Sequence, residues 1–141
     1  MLTTPSLADR LRVSVGRLAR RLRQQSAEDD LTLSQASVLA TLERHGPLAM
    51  SEVAAHERIS KPSATGIVGR LVDKGLVERA PDPDDARSSI VAITPEGLRL
   101  LNRRRRQRTE YLARRIDALD AGDRAVLERA VALLEKIVED R

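Results

Sequence analysis

The chain has 141 residues, which suffices for one domain, or for one lobe with an appended assembly element, and leaves no room for a two-domain enzyme. It has no cysteine, which excludes disulfides, thiol redox sensing and cysteine zinc sites, and a single tyrosine is its only aromatic residue, so any core must be aliphatic. With 25 Lys and Arg against 21 Asp and Glu the net charge is +4, and a basic balance permits a polyanionic partner such as nucleic acid.

Two helices are predicted at the start of the chain. Apolar residues recur at steps of three and four over residues 7–25, with arginines away from them, which predicts a long amphipathic helix. An acidic stretch follows it. Ser34 is then expected to cap a second helix, which ends before Gly46 and Pro47.

A short third helix and a fourth helix come next. Ser51 is expected to cap the third helix and Ser60 the fourth, and Pro62 is tolerated because it falls in the first turn of the fourth helix. Gly75 is expected to end the fourth helix. Its buried stripe is predicted to consist of Ala64, Ile67, Val68 and Leu71. The outward face then carries small and hydrogen-bonding residues: Lys61, Ser63, Thr65, Gly66, Gly69, Arg70 and Asp73.

The next segment changes from helical to extended character. Residues 76–79 and 90–94 are short runs rich in β-branched residues and predict two strands. The Pro/Asp-rich connection over residues 81–88 is too long for a tight two-residue hairpin, so we expect it to project as a loop.

Two further helices are predicted at the end of the chain. One begins at residues 94–96 and continues to about residue 119, and its middle, residues 102–110, contains no apolar residue. A helix that is polar on all faces commonly bridges separately packed regions. The other covers residues 123–138 and carries one apolar stripe.

This order of elements predicts a winged helix-turn-helix, in a fold that is mainly α with a small β-hairpin wing. The fourth helix, which we call the reader helix, would enter the major groove of double-stranded DNA. Gly66 and Gly69 each cost a helix about 1 kcal/mol relative to alanine, and close approach to the groove floor would explain them. The alternative is that this helix packs closely on another protein helix.

The wing carries the second set of expected DNA contacts. An arginine at a loop tip suits insertion into the narrow, electronegative minor groove, so we expect Arg87 to insert and the Asp85 carboxylate to orient its guanidinium. The alternative is a surface turn with a solvated ion pair. Helix N-termini and small polar side chains are expected to contact phosphates. The full set of expected DNA contacts is Ser51, Lys61, Pro62, Ser63, Thr65, Gly66, Arg70, Asp85, Arg87 and Ser88.

The charge distribution along the chain has to be consistent with DNA binding by the reader helix and the wing. Residues 51–94 carry a net charge of −1, whereas residues 95–119 carry +5. We expect a polarised surface, because three aspartates cluster in one loop while basic residues share the DNA side: Lys61, Arg70, Arg79 and Arg87. The four consecutive arginines at residues 103–106 either add positive field over the duplex or form a solvated helix face.

From residue 31 to residue 97 the chain resembles the MarR family of dimeric winged-helix regulators. The motifs that carry the resemblance are Leu31-Thr32-Leu33-Ser34-Gln35, Leu71-Val72-Asp73-Lys74-Gly75-Leu76-Val77, and Asp85-Ala86-Arg87 followed by a strand and Pro95-Glu96-Gly97. The sequence departs from the family pattern at Gly66, where many members have arginine, and at Ala36, where an aromatic residue is frequent.

The resemblance implies a domain organisation and partners. Residues 31–97 would form the DNA-binding domain, and residues 1–30 and 98–141 a helical dimerisation region. The chain would act as a homodimer and would repress transcription. A small aromatic or anionic effector would release it from DNA. Here the effector pocket would be lined by aliphatic and arginine side chains.

Enzymatic and metal-binding functions find little support in the sequence. His45 is expected to interact with the carbonyl end of the second helix rather than act as a base. Glu52 and His56 have the spacing of two metal ligands, but no third ligand accompanies them, so we predict neither metal nor cofactor. No phosphate loop or nucleophile elbow occurs.

The chain is therefore interpreted as a sequence-specific transcriptional regulator. Two other functions remain open, namely a winged-helix protein-interaction module and a nonspecific architectural protein that binds nucleic acid. The chain has no apolar run near the roughly 20 residues of a membrane span and no signal peptide, so we expect a cytoplasmic protein with no membrane partner.

Overall fold

The computed structural model describes residues 1–26 and 30–139. Of these, residues 1–25 with 107–139 form a helical unit, and residues 26 and 30–106 form a winged lobe. The predicted fold class, mainly α with a small β-hairpin wing, is confirmed. The elements are α1 (Thr4–Gln24), α2 (Leu33–His45), β1 (Leu48–Ala49), α3 (Met50–Glu57), α4 (Lys61–Asp73), β2 (Val77–Asp82), β3 (Asp85–Ile93), α5 (Pro95–Asp117) and α6 (Ala121–Val138).

The core of the winged lobe is aliphatic, as the composition requires. The three helices α2, α3 and α4 pack together, α2 and α3 also pack against β3, and α4 packs against β2. Side chains with no exposed surface come from each of these elements: Val38, Leu39, Leu42, Val53, Ala64, Val68, Leu71 and Val91. Burial of this aliphatic surface is the main force that holds the reader helix in the lobe.

The caps of α2 and α3 differ from those expected. Thr32, not Ser34, caps α2: its Oγ1 accepts a hydrogen bond from the Gln35 N–H at 3.1 Å, and the Gln35 side chain accepts one from the Thr32 N–H at 3.2 Å. This reciprocal pair needs Glu or Gln three residues after the cap, which Thr32 has. Ser51 likewise lies inside α3, whose N-cap residue is Ala49.

The predicted loop over residues 81–88 is wrong, because the strands continue through it. β2 and β3 form an antiparallel hairpin in which Asp82 pairs with Asp85, so only Pro83 and Asp84 make the turn. The Asp82 carboxylate accepts from the Asp84 N–H at 2.9 Å and closes this turn. A third strand, β1, pairs with β3 at Val91 and gives the sheet order β1-β3-β2.

The start of α5 packs directly against the exit of α4. Gly75, beyond the end of α4, has φ +74°, which glycine adopts without strain. The Thr94 hydroxyl donates to the Gly75 carbonyl at 2.7 Å and accepts from the Gly97 N–H at 3.1 Å. A Cβ atom on Gly97 would collide with the Leu76 carbonyl oxygen and lie 2.7 Å from Cγ1 of Ile93. Only glycine fits at this position.

The helical unit has a different surface. No residue of α1 or α6 is buried, and large aliphatic side chains are open to solvent, with Leu7 56% and Ile137 69% exposed. A groove of about 480 Å³ is lined by Thr4, Ala8 and Arg12 and, for the most part, by large aliphatic side chains of the two helices: Leu7, Leu11, Val15, Leu134, Ile137 and Val138. Among the described residues, no helix is both long enough and apolar enough to cross a bilayer.

Candidate nucleic-acid interface

The reader helix is α4, and it presents two distinct faces. Ser60 caps it by accepting from the Ser63 N–H at 3.2 Å, as predicted, and Pro62 lies in its first turn. Ala64, Val68 and Leu71 are buried, and Ile67 is half-buried. The opposite face is exposed along the helix and carries Lys61, Pro62, Ser63, Thr65, Gly66, Arg70 and Asp73.

The glycines of this helix have no packing partner among residues 1–26 and 30–139. A Cβ atom built on Gly66 or on Gly69 would meet no heavy atom within 4 Å. Close packing against another helix of the described chain therefore does not explain them. Gly66 is exposed and provides an open, shallow helix surface on which a large partner can approach the backbone. Gly69, which was expected on the same face, is half-buried at its edge.

Arg87 is presented by a bulge in the hairpin. Pro81 pairs with Ser89 but Asp82 pairs with Asp85, so residues 86–88 of β3 fall between the two pairs. Arg87 is exposed and Ser88 is half-buried. Such bulges bend a strand and redirect its side chains. The wing arginine thus lies on an irregular stretch of paired strand rather than on a free loop.

Two of the acidic residues in the wing hold its backbone. The Asp85 carboxylate accepts from the Arg87 N–H at 3.0 Å, so the observed contact is to the backbone and not to the guanidinium. The Asp82 carboxylate is bonded to the Asp84 N–H in the same way. These bonds explain acidic residues next to a basic surface, because short carboxylates stabilise tight turns. The basic residues Lys61, Arg70, Arg79 and Arg87 are all exposed.

The arginine run in α5 has a role that neither sequence interpretation anticipated. Arg104 is only 5% exposed and donates from Nη1 to the Ser26 carbonyl at 3.1 Å. Arg105 makes a bidentate pair with Glu43 of α2, at 2.6 and 2.9 Å. The hydrogen bond from Arg105 lowers the pKa of the Glu43 carboxyl below its ordinary value. Two of the four arginines therefore stabilise the winged lobe, and Arg103 and Arg106 are exposed.

A second basic cluster lies in the helical unit and was not predicted. Arg17 and Arg21 of α1, together with Tyr111 and Arg115 of α5, line a pocket of about 290 Å³. The Arg115 guanidinium lies over the tyrosine ring, 5.1 Å from its centroid. The hydrogen bond from Arg21, with the charge of Arg115, lowers the pKa of the Tyr111 phenol. The i, i+4 spacing in each helix was the available signal.

The histidines lie together at the α2–α3 contact. His45 is in the last turn of α2, and its ring stacks on that of His56 with centroids 4.2 Å apart. Glu52, the expected partner of His56, instead accepts a hydrogen bond from the Ala49 N–H at 3.1 Å. Within residues 1–26 and 30–139 no group of three or more potential metal ligands comes together.

Comparisons with known proteins cover most of the chain. A sequence model described as MarR family matches residues 29–88. A helix-turn-helix transcriptional regulator of Mycobacterium tuberculosis is 37% identical over 95% of this chain and 94% of its own length. The transcriptional repressor NicR of Pseudomonas putida is 31% identical over 82% of this chain and 72% of its own length. A solved protein of Pseudomonas aeruginosa is 34% identical, with a TM-score of 0.85 and 96% of both chains covered.

Proposed function

The chain belongs to the MarR family of DNA-binding transcriptional regulators, which makes it a regulator and not an enzyme, and we propose that it acts as a homodimeric repressor on an inverted-repeat operator. The observation that carries the proposal is the exposed face of α4, where small and hydrogen-bonding side chains surround Gly66, beside which a Cβ atom would meet no other atom of the described residues within 4 Å. Such a face suits direct contact with base edges in a major groove.

The helical unit supports the dimeric state. Its long helices leave their aliphatic stripes uncovered within a single chain, and exposed apolar surface of this extent is typical of an interface. We propose that α1, α5 and α6 of two copies cover each other. Twofold symmetry would then present two reader helices to successive major grooves, so the half-sites should lie about 34 Å apart.

The proposed contacts fall into three groups. Thr65, Gly66 and Arg70 would lie nearest the bases of the major groove. Arg87 would enter the minor groove, with Asp85 holding the backbone from which it projects. The helix starts and the flank of the wing would bind phosphates through Ser51, Lys61, Ser63 and Ser88. Pro62 has no N–H to donate, so it would contact the DNA backbone only through van der Waals packing.

Selection of bound duplexes from a random DNA pool, at two salt concentrations, tests this function. Recovery of one inverted repeat is the expected result. Salt-sensitive binding without enrichment of any sequence would instead show an architectural protein. Retention of no duplex at either salt concentration would favour a protein-interaction module. A direct repeat or a single half-site would contradict the symmetric dimer.

Replacing Gly66 with alanine should separate folding from DNA binding. Alanine favours the helix by about 1 kcal/mol, so the midpoint of thermal unfolding should rise. Affinity for the operator should fall about tenfold or more, because a methyl group forced into a close contact costs about 1–3 kcal/mol. Thermal denaturation and DNA titration measure the two effects.

Gly16→Ala is the matched control, since Gly16 is also an exposed helical glycine without neighbours but lies in α1. It should gain helix stability without losing DNA affinity. Unchanged operator affinity of Gly66→Ala would show that the reader helix does not approach DNA at this residue.

We further propose that the pocket around Tyr111 binds an anionic effector that releases the repressor. The guanidinium groups of Arg21 and Arg115 interact there with Tyr111, Arg17 lines the same pocket, and the pocket lining contains no carboxylate. Guanidinium groups bind carboxylates in bidentate fashion, and the tyrosine ring offers a flat apolar face. A small aromatic carboxylate satisfies both requirements.

Benzoate is a suitable probe of this pocket, with benzamide as an uncharged ligand of the same shape. Benzoate should weaken operator binding by the wild type, and benzamide should not. The double variant Arg21→Met/Arg115→Met should bind the operator with wild-type affinity, and benzoate should not change that affinity. An equal response of wild type and variant would exclude this pocket as the effector site.

A further inference from the structure

The exit of the reader helix is bonded to the start of α2 by a single lysine. Lys74 directly follows α4. Its ammonium group donates to the Asp30 carbonyl at 3.1 Å and to Oε1 of Gln35 at 3.2 Å. These acceptors precede it by 44 and 39 positions. Lys74 therefore connects the end of α4 with the segment between α1 and α2 and with the first turn of α2.

Gln35 is placed to receive this contact. It is only 4% exposed, and its amide oxygen also accepts from the Thr32 N–H at 3.2 Å. An amide oxygen has two lone pairs, so these two donors satisfy it. Without Lys74, one lone pair of a buried acceptor would lose its partner. The Lys74 contact is thus part of the cap that starts α2.

Ser26, the last described residue after α1, also accepts a hydrogen bond from a buried cation. The Ser26 carbonyl accepts from Arg104, which is 5% exposed and belongs to α5. The carbonyls of Ser26 and Asp30 are therefore both held by cations of the winged lobe, one from α5 and one from the end of α4. The end of α4 is thus bonded to residue 30 and to the first turn of α2, and α5 is bonded to residue 26.

We propose that Lys74 is a positioning residue of the reader helix. By bridging the end of α4 to Gln35 and to the Asp30 carbonyl, it fixes the orientation that base contacts require, and it does not itself contact a phosphate. Lys61, at the opposite end of the same helix, has the opposite role: its exposed ammonium group binds the DNA backbone. This assignment rests on the proposed recognition of a specific operator.

The two roles have different thermodynamic consequences. A lysine that neutralises a phosphate releases counterions, so its loss weakens binding to every duplex. The loss also makes the slope of log affinity against log salt concentration shallower by about 0.9 for each lost contact. A lysine that only orients a helix contributes no counterion release. Loss of an orienting lysine weakens base contacts, because these require precise placement of the helix. Phosphate contacts carry no sequence information and are weakened less.

The experiment compares Lys74→Met with Lys61→Met, on the selected operator and on a scrambled duplex of equal length, over a series of salt concentrations. For Lys74→Met we expect operator affinity to fall between about 3-fold and 30-fold. Affinity for the scrambled duplex and the salt dependence should stay at wild-type values. For Lys61→Met we expect both duplexes to bind more weakly, with a reduced salt dependence.

Two further variants separate positioning from general destabilisation. Gln35→Met should reproduce the loss of discrimination, and Lys74→Arg should restore most of it, because a guanidinium can reach both acceptors. All titrations are made at a temperature well below the midpoint of thermal unfolding of each variant. A variant that is merely less folded would lose the same fraction of binding to both duplexes and keep its discrimination.

Three outcomes would overturn the assignment. If Lys74→Met lowers both affinities together with the salt dependence, Lys74 is a phosphate contact. If the variant keeps the wild-type preference for the operator, the bridge does not position the reader helix. If the wild type itself shows no preference for any sequence, the proposed function fails and this inference fails with it.

Discussion

Replacing Arg87 with alanine should lower operator affinity by about 30-fold or more while leaving the oligomeric state unchanged. A specific arginine contact is worth about 1–3 kcal/mol, and a dimer loses two of them, with each 1.4 kcal/mol corresponding to about tenfold in affinity. Arg87 is exposed on the bulge of β3, where its loss removes no side-chain packing from the core. Fluorescence anisotropy with labelled operator measures the affinity, and sedimentation measures the oligomeric state.

Arg99→Ala is the matched control for this charge change. Arg99 lies in the same lobe, at the start of α5, where its guanidinium pairs with Glu96 at 2.6 Å and is 66% exposed. Its removal changes the net charge equally but should alter operator affinity only slightly. Equal effects of the two substitutions would mean that net charge, and not the wing, carries the affinity. Unchanged affinity of Arg87→Ala would reject the wing as a DNA contact.

Replacing Gly97 with alanine should lower the free energy of unfolding by about 1–3 kcal/mol or more. The added methyl group would collide with the Leu76 carbonyl oxygen and with Cγ1 of Ile93. The carbonyl cannot easily move away, because it accepts a hydrogen bond from the Thr94 N–H at 3.0 Å. Denaturant unfolding followed by circular dichroism measures the loss.

Gly69→Ala serves as the control for the substitution itself. Gly69 is also in a helix of the winged lobe, but a Cβ atom there has open space, so alanine should stabilise the helix. A loss of stability at Gly69 equal to that at Gly97 would show that the effect is not steric. Full stability of Gly97→Ala would show that α5 can shift away from the exit of α4 at little cost.

The helices of the winged lobe could be predicted because hydrophobic burial and capping are local signals. The apolar stripe of α4 and its Ser60 cap follow directly from the spacing of residues along one helix. The cap of α2 was misplaced by two residues because Thr32 and Ser34 are both good capping residues. What distinguishes them is the reciprocal bond with Gln35, which Thr32 alone makes.

The wing was harder to predict because its strands have no buried face along most of their length. Residues 78–81 of β2 and residues 85–87 of β3 are all exposed, so hydrophobic alternation gives no sign of the pairing. The pairing is made by backbone hydrogen bonds and by aspartate side chains that close the turn. β1 was not predicted because a strand of two residues is too short to show an alternation of apolar and polar side chains.

The contacts that couple distant segments could not be predicted from spacing. Lys74 and Gln35 each lie in a recognisable motif, but only the fold shows that their side chains meet. Arg104 is a partial exception. It continues the buried stripe of α5 through Gly97 and Leu101 at helical spacing, and that periodicity could have indicated an inward-facing arginine.

The tyrosine in the pocket of the helical unit has an optical consequence. The chain contains one tyrosine, no tryptophan and no phenylalanine, so Tyr111 is its only ultraviolet chromophore and fluorophore among the side chains. Its emission reports on the helical unit alone, whereas circular dichroism reports on the helices of both units. The two signals together can reveal, without any label, whether the two parts of the chain melt in one transition or separately.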